Sequence, residues 1–198
     1  MSKDLTDILT ADCEVIKFND EQFFYPIFKN GSSSLTMYTE ENNLNILKNK
    51  EISSLKKITV FLREPKERFV SGVYTFFYLT NNQLIDDTIL KKIESCDIID
   101  RHFVPQYVWL LHLYKYFKGL IEFRPVSELY ELIPNRGGPW SWGPVVWEPL
   151  TEKKKLQILS INYKKYLNVD KKILKKYLYK TVELKTLIEE FKIKNVLS

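Results

Sequence analysis

Lys29-Asn30-Gly31-Ser32-Ser33-Ser34 gathers the residue types that hold a phosphate. Three hydroxyls can each donate to an anionic oxygen, Gly31 lets the backbone come close, and Lys29 adds a mobile positive charge. An apolar run, Gln22 to Phe28, precedes this stretch, and helix-compatible sequence follows it from about Ser34 to Lys48. The pattern is therefore strand, small polar loop, helix, which points backbone N–H groups and the positive end of a helix dipole at a ligand. A plain serine-rich helix cap is the other reading. The loop is not the nucleoside triphosphatase pattern, in which a lysine follows the second of two glycines. Here the lysine precedes Gly31 and none follows it in the loop.

A second polar turn repeats the plan. Ile58 to Leu62 is a short apolar run of the kind buried on both faces of a sheet. Arg63 stands at its end, where a planar guanidinium can grip a phosphate. Pro65 suits the first turn of the helix expected over Lys66 to Leu79, and Ser71 lies on that helix.

The chain has 2 histidines. His102 lies at the start of an aromatic helix expected over Phe103 to Phe117, and a neutral imidazole there is suited to accept a proton. Capping or packing is its alternative. His112, among leucines, reads as a core or boundary residue. The stretch Pro134 to Pro149 holds half of the glycines and three of the four tryptophans. Trp140, Trp142 and Arg136 are candidates to line a ligand entrance, where tryptophan faces stack on sugar rings and Arg136 holds an anionic group, or the tryptophans plug the core.

The remaining elements are strands at Glu14 to Phe18 and Leu120 to Phe123, and helices at Leu84 to Ser95, Pro125 to Leu132 and over Thr151 to Val196. Strands alternating with helices predict an α/β fold of three layers, a mostly parallel central sheet flanked by helices, with a helical C-terminal part. In such sheets ligands bind at the carboxyl ends of the strands, so both polar turns would face one crevice.

Two segments resemble the PAPS-dependent sulfotransferase family, where PAPS is 3'-phosphoadenosine 5'-phosphosulfate. Tyr25 to Ser34 is similar to its 5'-phosphosulfate loop. Leu62-Arg63-Glu64-Pro65 with Glu67-Arg68-Phe69-Val70-Ser71 is similar to its 3'-phosphate element, with Glu64 where the family usually has Asp. Asp100-Arg101-His102-Phe103-Val104-Pro105-Gln106 resembles a segment of the membrane-anchored carbohydrate sulfotransferases and their bacterial relatives. The resemblance implies the P-loop-like fold of that family in one domain over residues 1–198, with a cofactor core at about 13–125 and a loop and helices at 134–196. It implies PAPS as donor, PAP (3'-phosphoadenosine 5'-phosphate) as product, no metal, and a carbohydrate or small hydroxyl acceptor. It assigns Lys29, Asn30, Gly31, Ser32, Ser33 and Ser34 to the 5'-phosphosulfate, Arg63 and Ser71 to the 3'-phosphate, and His102 with Lys29 to catalysis. A nucleotide-dependent kinase and a non-catalytic anion- or glycan-binding module are the competing readings.

Composition narrows the classes. With 44% hydrophobic and 28% charged residues the chain can bury a core and is not of disordered type. A net charge of +5 favours anionic partners. No basic-aromatic stripe or nucleic-acid motif accompanies that charge, so nucleic acid is not an expected partner. Cys13 and Cys96 offer neither metal spacing nor a disulfide framework. No apolar run approaches the roughly 18 residues of a membrane span, and the start lacks the apolar core of a signal peptide. The expected location is cytoplasmic.

Overall fold

A computed structural model describes residues 9, 12–81, 84–134 and 149–191. Its centre is a six-stranded sheet of β1 (Glu14–Lys17), β2 (Phe23–Tyr25), β3 (Asn45–Lys48), β4 (Lys57–Leu62), β5 (Leu120–Pro125) and β6 (Thr181–Glu183), in the order β3-β1-β2-β4-β5-β6. The helices are α1 (Ser32–Glu41), α2 (Pro65–Asn81), α3 (Asp87–Ser95), α4 (Gln106–Tyr116), α5 (Val126–Leu132), α6 (Glu152–Ile158), α7 (Lys164–Tyr177) and α8 (Leu184–Glu190).

The alternation of side chains along the strands divides the core in two. Ile58, Val60 and Leu62 of β4 face one way, joining Val15, Tyr25, Ile121 and Phe123 and the apolar faces of α2, α4, α6, α7 and α8. Phe61 faces the other way with Phe24 and Ile16, and is covered by Leu35 of α1 and by Leu129 and Ile133 near α5. The sheet is thus sandwiched between a thin layer of α1 and α5 and a thick layer that includes the C-terminal helices. No helix among the described residues is long and apolar enough to cross a membrane.

The sheet is mixed, which corrects the expectation of a mostly parallel one. Only β2–β4 and β4–β5 are parallel; β1–β2, β1–β3 and β5–β6 are antiparallel. The link from β1 to β2 is a tight turn in which Asn19 Oδ1 accepts the N–H groups of Glu21 and Gln22 at 3.0 and 2.8 Å. So short a link cannot make the crossover that parallel strands require. The helix expected to reach Lys48 stops at Glu41. Asn43 takes a left-handed φ of 51°, and the chain returns as β3 along β1. Asparagine tolerates that conformation, so Asn42-Asn43 is the stop signal. Likewise β6 interrupts the C-terminal helices after Tyr179, whose φ is 62°.

The three central strands form the parallel part, and Tyr25 lies beside Val60 in register. The loops leaving β2 and β4 therefore emerge side by side. Pro65 opens α2, as the sequence predicts. Glu64 accepts the Glu67 N–H at 2.9 Å, so its carboxylate caps the helix. Helix α4 starts later than expected, at Gln106, because Asp100 to Val104 form a turn ahead of it.

Pro105 gives α4 no side-chain cap. The cap comes instead from α7: Asp170 accepts the Gln106 N–H at 2.7 Å and the Tyr107 N–H at 2.9 Å. Asp170 is 3% exposed, and burial pushes its carboxyl up to about 6, against the pull of Arg68 and of these two N–H groups. An acid whose pKa is raised by folding stabilises the fold below its unfolded pKa, and that contribution is lost as pH rises through the folded value. Comparing urea unfolding of wild type and Asp170→Asn should show this slope between about pH 4 and 6 only in wild type. Asp170→Ala, which also strands two buried N–H groups beside a buried arginine, should cost about 3–5 kcal/mol at pH 7.

Candidate active site

The loop after β2 bends through two left-handed residues, Lys29 (φ 68°) and Gly31 (φ 79°). For a lysine this conformation costs roughly 1–2 kcal/mol, so the surroundings impose it. Gly31 is the N-cap of α1, and a Cβ there would lie 2.8 Å from Leu129 of α5. Glycine is thus required both by φ and by the closeness of α5, and it leaves the first-turn N–H groups without a capping side chain. Ser34 is buried and Ser33 exposed, with Ser32 between them. Ser32 and Ser33 are therefore the two of the three serines open to solvent. Tyr130 of α5, which sequence reasoning did not single out, puts its hydroxyl beside Gly31.

The loop after β4 meets this one directly. Arg63 Nη1 donates to the Lys29 carbonyl at 3.3 Å. Gln106, 2% exposed, binds both loops: its Oε1 accepts from Asn30 Nδ2 at 2.6 Å and from Arg63 N at 3.1 Å, while its Nε2 donates to Arg63 O at 3.0 Å. Asn30 Nδ2 also donates to Phe61 O at 2.8 Å. Lys29 Nζ donates to Thr75 Oγ1 at 2.8 Å, and Thr75 Oγ1 donates to Ser71 O at 2.9 Å. The expected residues Lys29, Asn30, Gly31, Arg63 and Ser71 therefore lie around one place.

Positive charge is concentrated there. Burial pushes the Lys29 ammonium down to about 8, and the neighbouring Arg63 and Arg68 push the same way. Arg63 has a distant anionic partner in Glu67, 3.7 Å away and mostly exposed. Arg68 is 2% exposed; its Nε donates to Phe28 O at 3.0 Å and its Nη1 to Val104 O at 2.6 Å, while Nη2 has no partner among the described residues. Burial lowers the Arg68 pKa to about 10. A cluster that holds like charges close together and depresses a lysine favours an anion. A small hollow between α1 and β1, flanked by Glu14 and Glu40, is separate, and its acidic rim disfavours anions.

His102 lies on the same side, its ring 5.5 Å from that of Phe28, the residue before Lys29. Its Nδ1 is 2.6 Å from Asp100 Oδ1. Gly72 of α2 makes this placement possible: a Cβ there would sit 2.2 Å from the His102 carbonyl oxygen. By contrast His112 is buried, with Tyr25 Oη at 3.2 Å from its Nδ1. Arg136, Trp140 and Trp142 lie outside the described residues.

No protein-family model, curated protein or solved structure matches the chain.

Sequence reasoning placed Gln106 and Arg68 in matched segments without giving them a role, and missed Asp170, Thr75 and Gly72. A glycine inside an otherwise good helix was the one local signal, since it marks close packing of a neighbour. The other four act across long sequence separations.

If an anion settles among these cations, Lys29 regains its proton. Sulfate binding measured by calorimetry at pH 8, in buffers of different ionisation enthalpy, should take up roughly half a proton. Affinity should fall as pH rises through 8. Lys29→Met should abolish the uptake.

Proposed function

We propose that this chain is a sulfotransferase that moves the sulfuryl group of PAPS to an acceptor hydroxyl, with a carbohydrate as the favoured acceptor class. The observation that carries this reading is the meeting of Arg63 with the Lys29 loop at adjacent parallel strand ends, around one buried amide, Gln106. The two segments that resemble the donor-binding elements of the family are thus neighbours in space as well as in order. Two cationic subsites side by side suit a donor with phosphate at both its 3' and 5' positions.

In this reading Arg63 and Ser71 hold the 3'-phosphate. The first turn of α1, with Ser32 and Ser33, holds the 5'-phosphosulfate. The acceptor oxygen attacks sulfur in line while His102 takes the hydroxyl proton. The bond from sulfur to the bridging oxygen breaks, and its electron pair stays on the 5'-phosphate of PAP. Lys29 meets that growing negative charge, a task for which its protonated form is needed. Positive side chains and a helix terminus supply the electrostatic stabilisation, and the reading assigns no step to a metal. The carbohydrate preference rests on the resemblance at Asp100 to Gln106 and on the tryptophans in the sequence between Pro134 and Pro149.

Arg63→Ala should weaken PAP binding by about ten- to hundredfold, as expected for loss of a charged hydrogen bond. Adenosine 5'-phosphosulfate, which lacks the 3'-phosphate, should lose far less. Equal PAP affinity in wild type and mutant would remove Arg63 from the 3' site, and a wild type that prefers magnesium ATP to PAP would overturn the reading.

His102→Ala should keep PAP affinity and lower transfer from labelled PAPS by roughly 10²–10⁴-fold. A panel of glycans and small alcohols supplies the acceptors. Wild-type turnover in this variant would move the base elsewhere.

A further inference from the structure

We propose that Asp100 is a positioning residue, which locks His102 in the tautomer that carries the proton on Nδ1 and presents Nε2 as the base; the catalytic part of this rests on the sulfuryl-transfer reading above. One carboxylate oxygen, Asp100 Oδ1, accepts twice from the same residue, from His102 N at 2.9 Å and from His102 Nδ1 at 2.6 Å. The two bonds fix backbone and ring together. An ionised carboxylate only accepts, so Nδ1 must be the donor, and a neutral imidazole then has its lone pair on Nε2.

Asp100 stays ionised in this setting. Burial opposes its charge, but the two hydrogen bonds from His102, helped by Arg101, outweigh burial and hold the carboxyl below its ordinary range. The same carboxylate would stabilise the imidazolium once His102 has taken a proton, as an acid partner does in other histidine-based catalysts.

The remaining faces of the residue are closed by packing. The Phe28 ring lies against the imidazole, and it is backed by Trp109 at 5.0 Å. The Arg101 guanidinium sits over Phe28 at 5.1 Å. Behind the backbone, α2 comes so close at Gly72 that no side chain fits. The Asp100 carbonyl accepts the N–H groups of Phe103 and Val104 at 3.1 and 2.9 Å, which completes the turn. The imidazole side chain is 14% exposed.

The test uses the full chain and reads the imidazole directly. With 2 histidines in the sequence, His102→Gln assigns the signals in a nitrogen–proton correlation spectrum. Wild-type His102 should show the Nδ1–H tautomer. Asp100→Ala should lose that preference, keep PAP affinity within about twofold, and lower kcat by roughly ten- to hundredfold with little change in donor KM. Asp100→Asn keeps an oxygen for the backbone N–H and guards against misfolding; it should retain the fold while weakening the tautomer preference. An unchanged tautomer in both variants, or an Nε2–H tautomer in wild type, overturns the proposal. If wild type transfers no sulfuryl group, the function proposed above fails, while the spectrum still decides the role of Asp100 toward His102.

Discussion

A guanidinium sealed from water dictates where its neighbours must lie. Taking such a charge out of solvent costs several kcal/mol unless acceptors and counter-charge surround it. Arg68 obtains a carbonyl from Phe28, a second from Val104, and the field of Asp170. These belong to the loop after β2, to the turn that carries His102, and to α7. Satisfying one buried ion therefore fixes three segments that are far apart in sequence. Gln106 completes the arrangement. Its backbone is held by Asp170 and its side chain joins Asn30 to Arg63, so the same network that relieves the buried charge also aligns the two cationic loops.

That rigidity has an electrostatic counterpart. Lys29 is held near Arg63 and Arg68, its backbone carbonyl bonded to Arg63 and its ammonium to Thr75. An incoming anion gains from cations already in place and pays little to arrange them, which is the physical meaning of a preorganised site.

Much of this plan was legible in the residues themselves. The polar turns after two apolar runs, Pro65 at a helix start, the doubly buried β4 and the separation of His102 from His112 all follow from local patterns. The sheet's mixed character was legible only in part. The short step from β1 to β2 excludes a crossover, and Asn42-Asn43 marks a stop, yet β3 has no strand-like alternation strong enough to outweigh the helical sequence before it. The network residues had no local signature. Gln106 and Asp170 lie 64 positions apart, and neither the proline before one nor the lysines around the other announces the contact. Arg68 stands in a matched segment, but nothing local marks it as buried until its tertiary neighbours are known. Gly72 alone carried a hint, a helix-weakening residue in a helix that otherwise needs none.

The remote cap on α4 also sets the order of events during synthesis. The ribosome delivers both loops, His102 and Gln106 well before Asp170 emerges. Until then the first turn of α4 lacks its carboxylate, and Arg68 lacks its counter-ion. A nascent chain that ends at α5 holds every residue of the proposed chemistry but not the partner that locks them in place. The arrangement therefore locks late, with α7, which makes the lysine-rich C-terminal helices a condition for the meeting of the two loops rather than an appendage to it.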